Sequence, residues 1–463
     1  MMERETEQVM RMEKDSLGEL QVPAGVYYGI HTVRSLKNFG ISGEAMPLEL
    51  IYSMVRLKRA CAKANAGLGL LSGDKASAIC KACDRVLEGQ FDAEFGIDVF
   101  QAGSGTSSHM NVCEVLANIA CEELGGKKGD RRLVHPNDHV NMGQSTNNVF
   151  PSAVRMATAE LSRDVQKALV HLAETLGKKE QEFKSVIKSG RTHLQDAVPV
   201  TLGQEFGAWK QAVQKAAERV GRGRAALLEL GVGGNAIGTG LNTPKTFRSA
   251  VLKELKGDYR MPENGIEATQ FMTDLCEFSS MLKLAALDMH KIANDLRLLG
   301  SGPNTGLGEI VLPPVEPGSS IMPGKINPSI CEAVNMACIQ VVGQDAAVCM
   351  ACGAGQLELN THMPVIGANL VKMLHLLSGA ARSLADQCVC GLTANERVCR
   401  RNFENSASLA TVLNPALGYD RVAELVKESI SSGRGLKELV LARELLDEAG
   451  WDALMKNCTG PLP

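Results

Sequence analysis

Apolar residues recur at intervals of three and four along the middle of the chain, from about residue 154 to residue 384. This spacing places apolar side chains on one face of an α-helix. The pattern fills five windows of roughly 20 to 30 residues, which contain Leu161, Phe206, Phe278, Val334 and Leu370. Five long helices predict a bundle, and a bundle of such helices is commonly buried further against copies of itself. We therefore expect a mostly α protein with a central five-helix bundle and a homo-oligomeric assembly.

The remainder of the chain predicts smaller parts on either side of this bundle. Glycine and proline cluster in connections such as 103–106, 231–242 and 300–328, where they favour loops. A chain of 463 residues is long enough for two or three domains. We predict an N-terminal helical domain over residues 1–144, a central helical bundle over 145–396 and a small C-terminal helical domain over 397–463.

Composition and charge exclude several classes of partner. The 49 Lys and Arg residues nearly balance the 52 Asp and Glu residues, so no broad basic surface for nucleic acid or anionic lipid is expected. No run of eighteen or more uninterrupted apolar residues predicts a membrane span. Fourteen cysteines without a secretory signal favour a reducing, cytoplasmic location, where thiols act mainly as small core residues. The CxxC strings that begin at Cys80 and Cys349 lie in apolar, helix-like stretches without nearby histidines, which argues against metal binding.

The loop of residues 317–328, with the sequence PGSSIMPGKINP, has the composition of an anion site. Lys325 supplies a positive charge and Asn327 a directional amide, while the glycines allow backbone N–H groups to approach an oxyanion. An ordinary loop between helices is also rich in glycine and proline. The combination of hydroxyls, cation and amide in twelve residues nevertheless favours a binding loop.

Residues 318–328 resemble the signature of the fumarase and aspartase superfamily. Residues 103–111, 135–147 and 190–196 resemble three further blocks of that family in the same order, so the resemblance covers essentially the whole chain. It implies a three-domain helical subunit that forms a homotetramer, in which each active site is built from three chains. It also implies a lyase that acts on a small C4 dicarboxylate. No cofactor is expected, and no compact cluster of acids and histidines marks a metal site, although activation by a divalent cation stays open.

The resemblance implies a serine base. In this family a base removes a proton beside one substrate carboxylate, and the resulting aci-carboxylate expels its neighbouring group, so stabilising charge is the main chemical task. Ser319 is the expected base, and N–H groups around Gly324 and Lys325 are expected to stabilise its ionised form. The loop 317–328 is expected to close as a lid on hinges at Gly318 and Gly324.

Further polar residues complete the expected site. The carboxylate that gains charge is expected to contact Thr106, Ser145, Thr146 and Ser320, and the other carboxylate Lys325 and Asn327. His193 is expected to be oriented and kept charged by Glu332. A secondary anion site is expected at His135, Asn137 and Asp138, although Asn137 or Asp138 would equally serve to cap a helix.

The leaving group is either ammonia or water. Ammonium departs as neutral ammonia, whereas hydroxide requires a proton from an acid. Asn147 and Thr192 have oxygens that accept from an ammonium, and Thr146 matches the aspartase pattern, so we favour aspartate ammonia-lyase over class II fumarate hydratase. A catalytically silent structural relative is the third alternative, but retention of Ser319 and Lys325 argues against it.

Three residues depart from the family pattern. His109 stands where asparagine is usual, Asn148 replaces an aspartate, and His362 begins a His-Met pair in place of Met-Glu. Each would alter substrate choice or reflect neutral drift.

Overall fold

The computed structural model describes residues 9–406, 408–456 and 458–459 and is mostly helical, as predicted. Its α-helices in chain order are α1 (Ile30–Asn38), α2 (Leu48–Gly67), α3 (Gly73–Leu87), α4 (Thr106–Glu123), α5 (Thr146–Glu182), α6 (Leu202–Gly223), α7 (Phe247–Leu255), α8 (Glu267–Gln270), α9 (Thr273–Leu299), α10 (Ser329–Cys352), α11 (Met363–Ser383), α12 (Glu396–Glu404), α13 (Leu409–Leu417), α14 (Tyr419–Ser432), α15 (Leu436–Ala442) and α16 (Glu448–Lys456).

The described strands form three small antiparallel pairs. They are β1 (Met10–Asp15) with β2 (Gly18–Pro23), β3 (Ile187–Thr192) with β4 (Gln195–Thr201), and β5 (Ile310–Val311) with β6 (Thr393–Ala394). In the second pair Thr192 is opposite Gln195, so only two residues form the turn. The first two pairs are hairpins, and the third joins Ile310 to Ala394 and Val311 to Thr393.

The five predicted long helices are present. They are α5, α6, α9, α10 and α11, with 37, 22, 27, 24 and 21 residues. At about 1.5 Å per residue, α5 alone extends over roughly 55 Å. The periodicity identifies these helices because each one keeps an apolar face buried over several turns.

The chain divides into two compact units. One contains the described residues up to Val165 together with residues 219–283 and 340–376, and the other contains residues 166–218, 284–339 and the described residues from Leu377 onward. The boundaries near residues 144 and 396 that the sequence suggests stay a prediction.

In the first unit the core lies among α2, α3 and α4. Met54 and Leu57 of α2, Ile79 of α3 and Val112 and Leu116 of α4 are completely buried. Most of α4 is inaccessible to solvent, including polar residues such as Ser108, His109 and Asn111, whereas Glu122 and Glu123 at its end are exposed. The buried part of the helix includes its first turn after Thr106, which matters for the site below.

The second unit contains a distinct cluster near the end of the chain. Its buried members are Phe403, Leu409, Leu413, Val422, Leu425, Leu436, Leu439, Val440 and Trp451. They come from α12 to α16, so the C-terminal helices form a core of their own.

Two helical segments, Ser329–Cys352 and Met363–Val389, are long and apolar enough to cross a membrane by mean hydropathy, although neither is an uninterrupted apolar run. Length and composition alone do not distinguish such a segment from the core helix of a soluble protein, and 61% of the apolar window in the second segment is buried. In α10 an exposed apolar stripe contains Met336, Ile339 and Met350, which are 67%, 62% and 77% exposed. Such a stripe is typical of a surface that another chain covers.

All fourteen cysteines are free thiols. Burial raises the pKa of Cys61 and of Cys338 to about 12 in each case. These thiols are therefore neutral core residues at physiological pH. Among the described residues, no three His, Cys, Asp or Glu side chains come close enough to hold a metal ion.

Candidate active site

The first group of predicted site residues lies where α4 and α5 begin. Thr106 is the first residue of α4 and Thr146 the first of α5. Free N–H groups and the positive end of the helix dipole make helix N-termini favourable for anions. Gly105, which precedes α4, has φ 87°, and a Cβ built on it would lie 2.3 Å from the ring of Phe150. Only glycine allows this close packing of the loop against α5.

Hydrogen bonds join the two helix ends. Ser104 Oγ donates to Asn147 Oδ1 at 3.0 Å, and Asn147 Nδ2 donates to the carbonyl of Ala236 at 2.7 Å. Ser145 Oγ accepts from the backbone N–H of Asn147 at 3.3 Å, so Ser145 caps α5. Thr106 Oγ1 donates to the carbonyl of Gly103 at 3.3 Å. The predicted carboxylate-binding residues Thr106, Ser145, Thr146 and Asn147 are thus neighbours, while their roles stay predictions.

Behind Thr146 lie two buried side chains in series, the imidazole of His109 and the ammonium of Lys58. Thr146 Oγ1 lies 2.6 Å from Nδ1 of His109, and Nε2 of His109 lies 2.6 Å from Nζ of Lys58. Lys58 also donates to Asn141 Oδ1 at 2.8 Å. Burial and the adjacent positive charges of Lys58 and His31 hold the pKa of His109 well below its usual value. His109 is therefore the neutral imidazole.

The sequence identifies only part of this arrangement. His109 stands out as a departure from the family block, but Lys58 lies on α2, 51 positions earlier in the chain. A lysine in a helical stretch is usually a solvated surface residue, whereas Lys58 is completely buried. Only the packing of α2 against α4 brings the two side chains together.

The predicted secondary anion site forms a helical turn over Pro136–Val140. Here His135, not Asn137 or Asp138, is the cap, because its Nδ1 accepts from the backbone N–H groups of both residues at 3.2 Å. The expected capping role for Asn137 or Asp138 is therefore wrong. His135 and Asn137 line a cleft of about 630 Å³ that also contains Arg34 and Arg131. Both arginines are already paired with carboxylates, Arg34 with Asp15 at 2.8 Å and Arg131 with Glu13 at 3.3 Å, and Asp15 also lines the cleft. The anion-binding role of this cleft stays a prediction.

The second group of predicted site residues begins with the β3–β4 turn. Thr192 is the last residue of β3, and His193 and Leu194 form the turn with φ values of 55° and 60°. Positive φ at both central residues is the geometry of a tight two-residue hairpin. Thr192 and His193 are exposed at its tip. The predicted histidine is therefore exposed to solvent at the end of this hairpin.

A buried charge cluster holds the base of this hairpin. Lys188 Nζ lies 2.8 Å from Glu205 and 3.0 Å from Glu309. Arg191 makes a two-pronged contact with the carboxylate of Glu309 at 2.7 and 3.0 Å, and Asn402 donates to it at 3.1 Å. Burial opposes ionisation of Glu309, but Arg191 and Lys188 outweigh it and hold the pKa of Glu309 below its usual value. Glu309 is therefore an ionised, fully buried anchor for β3.

Hydrogen bonds within the loop 317–328 join its two ends. The N–H of Gly318 donates to the carbonyl of Lys325 at 2.9 Å, and Asn327 Nδ2 donates to the carbonyl of Gly318 at 2.7 Å. A Cβ on Gly318 would lie 2.3 Å from the carbonyl oxygen of Lys325. Ser320 and Lys325 are exposed on this loop.

The oxygen of Ser319 receives two backbone N–H groups. They belong to Ile321 and Met322, at 3.2 and 3.0 Å. The expectation that the donors come from around Gly324 and Lys325 is therefore wrong, and the N–H of Lys325 instead donates to the carbonyl of Met322. The serine folds back on the turn that follows it, a common local geometry for hydroxyl side chains. Two N–H donors at one oxygen favour negative charge there.

Glu332 lies in the first turn of α10. Within the described part of one chain its carboxylate pairs with Arg297 at 3.8 Å, and no hydrogen bond or ion pair joins it to His193. The predicted pair of His193 and Glu332 is thus not formed inside a single chain. His193 is exposed at the hairpin tip, and the Glu332 side chain is 39% exposed at the start of α10.

The other two departures from the family pattern lie in different surroundings. Asn148 is buried and its Nδ2 donates to Thr269 Oγ1 at 3.4 Å. His362 is exposed just before α11, and its backbone N–H donates to Asn360 Oδ1 at 2.8 Å. Of the three departures, only His109 contacts a predicted substrate-binding side chain.

Comparisons with known proteins match nearly the whole chain. A family model described as Lyase matches residues 18–343, and one described as Fumarase C C-terminus matches residues 409–457. A class II fumarate hydratase of Thermosynechococcus vestitus is 46% identical over 433 residues, which is 92% of this chain and 93% of the relative. An aspartate ammonia-lyase of Bacillus subtilis is 43% identical over 449 residues, which is 96% of this chain and 94% of the relative.

Solved structures share the same fold. The fumarate lyase:delta crystallin of Brucella melitensis bound to cobalt has a TM-score of 0.94 and 44% identity, and the match covers 97% of this chain and 98% of that one. The class II fumarase of Schistosoma mansoni has a TM-score of 0.92 and 40% identity, with 96% and 98% covered. This chain therefore has the fold of these proteins.

Proposed function

Because this chain belongs to the fumarase/aspartase superfamily of lyases, we propose that it eliminates water reversibly from L-malate to give fumarate, as a class II fumarate hydratase. The carrying observation is the 46% identity to the Thermosynechococcus vestitus enzyme over almost the full length of both chains. The likeness to the class II fumarase of Schistosoma mansoni supports the same reaction. On the basis of these relatives we prefer the fumarate hydratase to the aspartate ammonia-lyase, whereas the sequence motifs favour the opposite order.

The geometry of the loop 317–328 supports Ser319 as the base. A serine hydroxyl is too weak an acid to ionise at neutral pH without strong local stabilisation. The N–H groups of Ile321 and Met322 donate to Ser319 Oγ and would stabilise its ionised form. Ser319 would then remove the proton beside the substrate carboxylate.

The remaining residues would bind the two carboxylates. Hydroxyls at the starts of α4 and α5, from Thr106, Ser145 and Thr146, would donate to the carboxylate that gains charge, together with Ser320. The developing charge then lies at two helix N-termini, where dipoles and N–H groups stabilise it. Lys325 and Asn327 would hold the other carboxylate. No step in this scheme requires a cofactor.

Ammonia elimination from L-aspartate is the second candidate. The observation that favours it is Thr146, which follows the aspartase pattern and lies at the start of α5. The Bacillus subtilis aspartate ammonia-lyase, at 43% identity, is nearly as similar as the fumarate hydratase. In that reaction Asn147 and Thr192 would accept hydrogen bonds from the ammonium group.

We also propose that four copies form a homotetramer in the cytoplasm and share their active sites. The exposed apolar stripe of α10, with Met336, Ile339 and Met350, supports burial against another chain. His193 and Glu332, which do not meet within one chain, would then meet across copies. A tetramer by mass photometry for the native chain, and smaller species for Met336→Glu, would support the assembly; a native monomer that is active would overturn it.

The test of the reaction is the ultraviolet absorbance of fumarate as it forms from L-malate or from L-aspartate. Purified protein is assayed side by side with both substrates, with and without a chelator and added Mg²⁺. The Ser319→Ala variant serves as the control for contaminating host enzyme and should be inactive. Fumarate from malate alone supports the hydratase, and fumarate from aspartate alone overturns it in favour of the ammonia-lyase. Fumarate from neither substrate would indicate the catalytically silent relative.

A further inference from the structure

A buried cation lies behind the proposed carboxylate site. Lys58 is completely buried, yet its hydrogen-bond partners are the uncharged groups His109 Nε2, Asn141 Oδ1 and the thiol of Cys113. Among the described residues, no carboxylate lies within ion-pair distance of the Lys58 ammonium. A buried charge is costly unless it is paired. A dicarboxylate bound at the starts of α4 and α5 would provide the missing negative charge.

The order of donors and acceptors fixes the tautomer of His109. An ammonium group has only protons to donate, so Nε2 of His109 must accept from Lys58. The neutral imidazole then has its single proton on Nδ1, which lies 2.6 Å from Thr146 Oγ1. Nδ1 donates, and Thr146 Oγ1 accepts. The hydroxyl of Thr146 is left with its own proton free to donate elsewhere.

We propose that Lys58 and His109 are positioning residues that hold the hydroxyl proton of Thr146 on the substrate carboxylate that gains charge. This inference rests on the proposed function, in which Thr146 contacts that carboxylate. Lys58 determines which ring nitrogen of His109 carries the proton. His109 Nδ1 donates that proton to Thr146 Oγ1, so the hydroxyl proton of Thr146 points away from α4. The chain Lys58–His109–Thr146 therefore presents the substrate with a hydroxyl that acts only as a donor.

This arrangement also explains how histidine replaces the asparagine that is usual in this block of the family. An asparagine amide can accept from Lys58 through its oxygen and donate to Thr146 through its nitrogen, in the same order as the imidazole. The histidine side chain is longer than that of asparagine, but both offer one donor and one acceptor in the same order. A residue without both a donor and an acceptor breaks the order.

The experiment compares His109→Leu, Thr146→Val and the double variant with the native tetramer on whichever substrate it converts. A hydrogen bond to a charged group that is lost in the transition state lowers kcat/KM by about ten- to a hundredfold. We expect that loss for each single variant, mainly in kcat. Because His109 acts through Thr146, the double variant should be no slower than Thr146→Val alone.

Two further variants separate positioning from packing. His109→Asn keeps the donor and acceptor order and should recover most of the kcat lost in His109→Leu. Ser108→Ala is the matched control, since Ser108 is equally buried on the same turn but bonds to Gln101. It should keep native kcat/KM, and all variants should be compared at temperatures well below their thermal unfolding midpoints.

The outcomes distinguish the two proposals. If malate and aspartate are both unreactive, the proposed function fails, and the same variants are then compared by calorimetry with fumarate as the ligand. Weaker fumarate binding in His109→Leu, again not additive with Thr146→Val, would still support the positioning role. Native activity or affinity in His109→Leu, losses that multiply in the double variant, or no recovery in His109→Asn would each overturn it, as would a native chain that does not bind fumarate.

Discussion

The carboxylate of Glu309 is the most informative place to perturb the stability of this chain. Glu309 is completely buried and contacts both Lys188 and Arg191, which lie on the strand that leads to His193. Substitution by glutamine keeps the shape of the side chain and removes its charge. Lys188 then keeps its contact with Glu205, whereas Arg191 loses its paired carboxylate, and the amide of the new glutamine presents donors to both cations.

The size of the effect follows from burial. Removing one partner of a buried ion pair costs about 3 to 5 kcal/mol, because the remaining charge is left uncompensated. The entropy of unfolding is about 2 cal per mol per kelvin per residue, so for a chain of 463 residues that unfolds as a whole, 1 kcal/mol corresponds to about 1 °C. We expect Glu309→Gln to lower Tm by about 3 to 5 °C.

The matched control is a carboxylate in an exposed pair. Glu404 pairs with Arg400 one turn earlier on α12, and the Arg400 side chain is 73% exposed. Such surface pairs contribute about 0.3 to 0.5 kcal/mol, so Glu404→Gln should shift Tm by less than about 1 °C. Thermal unfolding at one fixed protein concentration measures both variants. Equal shifts for the two substitutions would refute the argument from burial.

The pH dependence gives a second check on Glu309. Its pKa in the folded chain is lowered, so its contribution to stability is present above the usual glutamate pKa of about 4.3 and is lost as pH falls through the lower folded value. The difference in Tm between the native chain and Glu309→Gln should therefore be constant between about pH 6 and 8 and narrow below about pH 4. A difference that grows on acidification would contradict the assigned charge.

Two other predictions concern glycines and the serine loop. Gly105→Ala should lower both Tm and activity far more than Gly125→Ala, since both glycines have positive φ but only a Cβ at Gly105 meets the ring of Phe150; similar losses in the two variants would show that φ alone decides. Saturating fumarate should slow tryptic cleavage after the exposed Lys325 and leave cleavage after the exposed Arg434 unchanged, because closure of the loop 317–328 would shield only the first bond. Equal cleavage at Lys325 with and without fumarate would count against a lid.

Local patterns predict the helices of this protein well. Each long helix keeps one apolar face over several turns, so its period can be read without knowing its neighbours. A search for uninterrupted apolar runs does not detect the high mean hydropathy of α10 and α11, in which isolated polar residues are diluted by apolar ones. Average hydropathy and interruption are different properties of a helix.

In the candidate site, too, local sequence patterns predict some residues and miss those that meet only through tertiary packing. The family blocks predict Thr106, Thr146 and Ser319 as site residues, because each motif is contiguous in the chain. They do not identify Lys58 or Glu309, whose partners are 51 and 118 positions away and meet them only through tertiary packing. The donors to Ser319 are misassigned for a third reason. The turn after the serine has backbone angles that composition does not specify.

The contact between Gly105 and Phe150 bears on how this family evolves. A glycine that is required by an aromatic ring persists for as long as the fold does, whether or not the protein still catalyses a reaction. A descendant recruited to a purely structural role would retain the glycine block and would be free to lose Ser319, whose hydroxyl oxygen accepts from N–H groups of its own loop. Part of a motif that resembles an active-site signature therefore reflects only common descent. Activity is better judged from residues that the fold does not require.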